Sequence, residues 1–312
     1  MIVYDSFNDF VSCFLYVITR ISIAYKGMGN GKSKNGANSI IFKILFPVLV
    51  FNLMANANIE LSHISIILYV YIAYLVILVI GKFITQHITK KYQKFAPYLL
   101  TVVEGGNVAL PLYLSIVGQS STTVIFDLGG IMICFITIPI LIAKEVSAGS
   151  SYKDIIKSIF TNTFVIAVIL GLFMNFTGLY ELLLASSFGD MISTTINQVT
   201  APIIPMILFI LGYDLNIDSH NLKPVLRLIA VKFVYYAFVI LGFFVLFPEL
   251  MADKSFMMAP IIYFMCPTGF GLMPIIEPLY QDEDDASFTS AFVSIFMIVT
   301  LFVYTMVVIF IA

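Results

Sequence analysis

Two short stretches decide the reading: EGGNVALPL at 104–112 and CPTGFGLMPIIEP at 266–278. Each lies within an apolar run of helical length, and each carries glycine and proline in its middle. Those residues interrupt the i→i−4 hydrogen-bond ladder and free backbone N–H and C=O groups. In hydrocarbon, freed groups must be satisfied by protein or by a water-lined cavity. Half-helix ends at that depth also aim partial charges at a bound solute. The first stretch therefore supplies Glu104, Gly105, Gly106, Asn107 and Pro111 as candidate solute or coupling-ion contacts, and the second supplies Pro267, Thr268, Gly269, Gly271 and Pro274.

The bulk composition sets the medium. Of 312 residues, 60% are hydrophobic and 11% charged, and the mean hydropathy is +1.02. A water-soluble domain carries about a quarter charged residues, so this chain has too little polar surface to solvate a globule. It reads as an integral membrane protein, and a disordered chain, a secreted disulfide scaffold and a cytosolic enzyme are excluded. A net charge of −2 gives no basic field for nucleic acid. Cys13, Cys134 and Cys266 lie scattered in apolar runs and read as small buried hydrophobes. The N-terminus, MIVYDSFNDF, has acids where a signal peptide carries positive charge, so the first apolar run is expected to be kept as a span.

A membrane helix needs about 20 apolar residues. Ten runs qualify, at 8–25, 39–56, 63–83, 96–117, 121–143, 155–176, 192–213, 226–247, 256–280 and 287–311. Alternating the loops places every one of the 16 basic residues except Lys254 on one side, Lys232 counted among them. By the positive-inside rule that side is cytoplasmic and both termini are extracytoplasmic. The acidic run Asp282-Glu283-Asp284-Asp285 is expected as a solvated turn on the same side.

The chain also divides into two halves, 1–145 and 155–312, joined by a cytoplasmic linker at 146–154. Pro47 and Pro205 are 158 residues apart, and Pro111 and Pro274 are 163 apart, so the interruptions recur at matching places. Five spans per half is an odd number, so the second half must sit inverted relative to the first. That is the layout of an inverted-repeat transporter. A plain proline kink explains one broken span, and the recurrence in both halves favours a site.

EGGNVALPL resembles the fourth-span motif of the auxin efflux carrier family, roughly Asn-x-Gly-x-x-Gly-x-Pro-Leu. Gly106, Pro111 and Leu112 match it, and Ala109 replaces the second glycine. CPTGFGLMPIIEPLY is similar to the family's Pro-Thr crossover segment through Pro267 and Thr268. The resemblance extends over the whole chain in span count and five-plus-five layout. It implies an all-α integral membrane fold of ten transmembrane helices in two inverted five-helix repeats, with broken helices 4 and 9 crossing, an architecture like that of bile-acid symporters and NhaA. It further implies a scaffold of helices 1, 2, 6 and 7, a transport bundle of helices 3–5 and 8–10, and alternating-access movement of a small organic anion, a carboxylate, across the cell membrane. A homodimer through the scaffold follows from the same resemblance. Two positions depart from the pattern: Glu104 replaces an asparagine, and Gly271 stands where the ninth span usually has another.

Charge at bilayer depth is costly and therefore marks function. Glu104 is the expected proton carrier, able when protonated to donate a hydrogen bond to a carboxylate solute. Asp127 is a second possible coupling acid. Coupling to sodium, a cationic or neutral solute, and a non-transporting membrane sensor or channel are the alternative readings. No paired nucleophile and base, metal-ligand spacing or nucleotide motif points to an enzyme, a metal or a cofactor.

Overall fold

A computed structural model describes residues 39–57, 63–117, 122–146, 163–203 and 219–310, together with Gly36, Lys157, Thr161 and Met206. The expected first span at 8–25, most of the basic loop at 26–36, the linker beyond Val146 and most of 204–218 lie outside the described residues. Every element named below is helical, and an isolated antiparallel bridge between Val103 and Thr268 is the extended pairing recorded among the described residues.

The second expected span forms a π-type turn, Ile41–Leu45, running into α1 (Phe46–Ala55). The third is α2 (Ile64–Ile88), five residues longer at its end than its apolar run suggested because Thr85, Gln86 and His87 continue the helix. The fourth is broken as expected. A single turn, α3 (Ala96–Leu99), is followed by irregular chain, a π-type turn at Gly105–Ala109, and α4 (Leu110–Val117). The fifth runs as α5 (Thr122–Met132), a π-type turn Ile133–Thr137 and α6 (Ile138–Val146).

In the second half, α7 (Thr163–Phe176) covers the described part of the sixth span, and Leu179–Leu184 (α8) and Gly189–Thr200 (α9) follow. The eighth is α10 (Ser219–Leu246), which starts seven residues before its apolar run. After α11 (Pro248–Met251), the ninth is broken into α12 (Lys254–Phe264) and a short second half, Phe270–Leu272, α13 (Met273–Ile276) and Glu277–Leu279. The last is α14 (Glu283–Phe310).

Four of these helical stretches are long and apolar enough to cross a membrane: Ile64–Ile88, Thr123–Glu145, Leu222–Leu246 and Glu283–Val307. Their outward faces carry large apolar side chains, such as Val79 and Phe83 on α2, Phe238 and Val245 on α10, and Phe302 on α14. Their inward faces are equally apolar, with Val70 and Ile77 of α2 and Phe243 of α10 fully buried. Helices apolar on every side are stable inside a large core or in lipid, not at a water surface.

α14 opens inside the acidic run: Asp282 and Glu283 are exposed, as expected of a solvated stretch, but the helix begins at Glu283 and Asp285 is buried. The Gln281 N–H donates to Asp285 Oδ2 at 2.7 Å, and the Asp285 N–H to Asp282 Oδ1 at 3.1 Å. Acids in a first turn satisfy otherwise unpaired N–H groups and complement the helix dipole. Asp284 pairs with Lys91 and accepts from Tyr92 Oη at 2.6 Å, tying the turn after α2 to the start of α14.

α1 and α7, from opposite halves, pack at close range. A Cβ on Gly171 would sit 2.7 Å from the Phe51 carbonyl and 2.6 Å from Met54 Cβ, so only glycine permits this approach. Polar glue follows at one end: Asn175 Nδ2 donates to the Ala55 and Ala57 carbonyls at 2.9 and 2.8 Å, and Tyr180 Oη donates to Asn52 Oδ1 at 2.6 Å. Asn52 and Asn175 thus bind helices together, while Asn197 and Gln198 are exposed on α9.

Candidate functional site

The two interrupted helical segments, 96–117 and 254–279, meet at their breaks. Glycine and proline release the chain at 100–104 and 265–269, and the freed backbones pair with each other. The Glu104 N–H donates to the Pro267 carbonyl at 2.8 Å, and the Gly269 N–H to the Val102 carbonyl at 3.4 Å, flanking the Val103–Thr268 bridge. Val102 holds a positive φ of 25°, rare for a β-branched residue. Strain of that kind persists where surrounding bonds over-determine the backbone, and clusters at functional sites.

Lys232 supplies one of those bonds. Sequence reasoning counted it with the basic residues of one surface, but its side chain is fully buried behind the crossing. Its Nζ donates to the carbonyls of Leu99, Thr101 and Val102 at 3.2, 2.7 and 3.0 Å, and to Thr268 Oγ1 at 2.5 Å. Thr268 Oγ1 in turn donates to the Leu99 carbonyl at 2.6 Å, and Tyr236 Oη donates to the Leu100 carbonyl at 3.0 Å. Every carbonyl from Leu99 to Val102 is therefore satisfied from α10 or the ninth span. The available signal was a lone lysine within the apolar run AVKFVYYAF of 230–238, which the surface count absorbed.

The acids lie on another side of the crossing. Glu104, 7% exposed, accepts the Phe270 N–H on Oε2 at 2.6 Å, so its carboxyl holds the second half of the ninth span. Asp127 is partly exposed. It accepts from Tyr263 Oη at 2.9 Å and lies against the backbone of Gly105. Tyr263 is held by Tyr74 Oη at 3.2 Å. Neither tyrosine was singled out from the sequence, where each is one aromatic among many.

The remaining expected residues distribute as follows. Gly105 is buried with its Cα against the Asp127 carboxyl, and Gly106 is exposed beside it. The side chains of Asn107 and Pro111 lie outside the described part, although their backbones continue the π-type turn and α4. Pro267, Thr268 and Gly269 form the bridge. Gly271 is a step away, where a Cβ would meet the rings of Phe46 and Phe135 at 2.9 Å, and Pro274 lies in α13. The crossing thus brings Glu104, Gly105, Gly106 and Asp127 together with Pro267, Thr268 and Gly269, and leaves Gly271 and Pro274 on its flank.

Chemically, the site presents a partly exposed carboxyl beside an exposed glycine backbone, with a buried lysine amine bonded to the carbonyls of Leu99, Thr101 and Val102 and to Thr268. Among the described residues no group of three or more metal-ligating side chains converges. No family model matches the chain, and no curated protein does.

Proposed function

We propose that the chain is a secondary transporter of the auxin efflux carrier type, built of ten spans in two inverted repeats and moving a small organic solute across the cell membrane by alternating access, with both termini extracytoplasmic. The observation that carries this reading is the meeting of two broken helices, one from each half, through main-chain bonds between Val102–Glu104 and Pro267–Gly269 and through the Glu104 carboxyl, which accepts the Phe270 N–H. Irregular backbone at such depth is tolerated where it serves a solute path. The first solute to test is a carboxylate moved with protons. Asp127 is the acid placed to meet it, because it is partly exposed beside Gly106, whereas the Glu104 carboxyl is engaged by Phe270.

One observation favours a second reading, a cationic or neutral solute. The acids at the crossing are Glu104 and Asp127, and the ammonium that could attract an anion is spent on four oxygens behind it. A hydrogen-bond-donating solute fits acceptors better than a carboxylate does.

Both readings are tested by reconstituting the protein in liposomes on a solid support and recording transient currents when carboxylates or organic amines are added at several pH values. A pH-dependent carboxylate current, lost in Asp127→Asn, supports the first reading. A current with amines alone supports the second. Because a monocarboxylate moved with one proton carries no net charge, uptake of labelled solute is measured beside the currents, and folded protein giving neither current nor uptake with either class refutes transport.

A further inference from the structure

We propose that the oxygen cluster behind the crossing is a cation site that the chain fills from within, the Lys232 ammonium standing where a free alkali ion would otherwise be held. Four oxygens surround Nζ at 2.5–3.2 Å, three of them main-chain carbonyls. The fourth, Thr268 Oγ1, has committed its own proton to Leu99. All four are therefore acceptors toward Nζ. An ammonium has three N–H donors for these acceptors, whereas a neutral amine has two and a lone pair that only the Thr268 hydroxyl could meet, by giving up its bond to Leu99. The faces of Phe296 and Tyr236, with ring centroids 5.3 and 5.7 Å from Nζ, complete the shell. No carboxylate lies within ion-pair distance of Nζ among the described residues. Carbonyl rings of this kind replace the hydration shell of a bare monovalent ion, and here a tether replaces the ion. The crossing is then held together without dissolved sodium or potassium. Removing the tether should open the site to one of them.

The tethered site is a property of the folded protein and stands independently of whether the chain carries a solute. Its test is thermal unfolding in detergent, read by a thiol-reactive dye on Cys134 and Cys266, which are both buried, in a Cys13→Ser background. Lys232→Ala and Lys232→Met are compared with the parent in N-methylglucamine, sodium, potassium and n-propylammonium chlorides at equal ionic strength. The parent should melt alike in all four salts. Lys232→Ala should melt at least about 5 °C lower in N-methylglucamine and recover half or more of that, saturably, in propylammonium or in one alkali ion. Lys232→Met fills the volume without charge and should stay low in every salt. Three results overturn the inference: Lys232→Met melting with the parent, Lys232→Ala indifferent to the salt, or the parent itself stabilised by one alkali ion. If Lys232→Ala survives purification in propylammonium or an alkali salt alone, that supports it, and loss of the variant in all four salts overturns it.

Discussion

Adjacent glycines at the first break should respond in opposite ways to the same added methyl. A Cβ built on Gly105 falls 1.7 Å from Asp127 Oδ1, 2.1 Å from Cγ and 2.3 Å from Oδ2. Non-bonded heavy atoms settle about 3.5 Å apart, so the carboxyl must retreat by more than an ångström, and a side chain as short as aspartate cannot do so alone. Retreat breaks the bond from Tyr263. Such a bond contributes about 1–3 kcal/mol, the crowding itself costs about 1–3 kcal/mol, and the alanine returns about 0.4–1 kcal/mol by restricting the unfolded chain. The net loss for Gly105→Ala is about 1–5 kcal/mol, and its middle value of about 3 kcal/mol corresponds to about 6–12 °C in melting temperature. The neighbouring Gly106→Ala meets only Asp127 Oδ2, at 3.8 Å, an ordinary contact. It should melt within about 2 °C of the parent. The assay is dye-monitored unfolding of the two variants side by side, followed by carrier currents for both. Equal melting of the two variants, in either direction, would refute the placement of Asp127 against the first glycine.

Three further outcomes follow from the same geometry. Thr268→Val removes an acceptor from Lys232 and a donor to the Leu99 carbonyl, and should lower stability by about 2–4 kcal/mol, whereas Thr268→Ser keeps both bonds and should stay near the parent in the same melt. Glu104→Ala strands the buried Phe270 N–H and should cost about 1–3 kcal/mol, while Glu104→Gln retains an acceptor oxygen; equal losses in the two would refute the carboxyl's part in holding the ninth span. Lys91 is held above its ordinary value of 10.5, first by its hydrogen bond to Asp284. A raised basic group contributes stability that is complete below its unfolded value and lost as pH rises through the folded one, so the melting difference between parent and Asp284→Asn should hold from neutral pH, where Asp284 is ionised, up to about pH 10.5 and shrink above it. That difference should be under about 1 kcal/mol because both side chains face water.

The breaks were legible in the sequence because glycine and proline act locally: they stop a helix wherever they fall. Residue type alone therefore located 104–112 and 266–278. Helix ends were less legible. Polar residues such as His220, Asn221 and Lys223 extend α10, and Glu283 opens α14, because a helix end tolerates polar groups that an apolar-run criterion rejects. The partners across the crossing were not legible at all. That Lys232 reaches Leu99 depends on the mutual register of segments 133 residues apart, and no local pattern encodes it. The same holds for Glu104, whose role is decided by the Phe270 N–H, a backbone atom with no sequence signature. Asp127 stood out as a charge in an apolar run, but the glycine that receives it could be identified only from the folded chain.

The Asn175 bonds between α7 and the end of α1 bear on how this protein can be produced. Asn175-Phe176-Thr177 has the form of an N-glycosylation acceptor. Glycan transfer attacks through the asparagine amide nitrogen, and that nitrogen already donates to the Ala55 and Ala57 carbonyls, while Thr177 Oγ1 donates to the Phe173 carbonyl at 2.7 Å. The tripeptide also begins inside a helix, not in an extended accessible loop. Folded protein passed through a eukaryotic secretory route should therefore stay unmodified at Asn175. A glycan found there would mark chains that met the transferase before α1 and α7 had docked, which makes glycan occupancy a reporter of when those two helices come together.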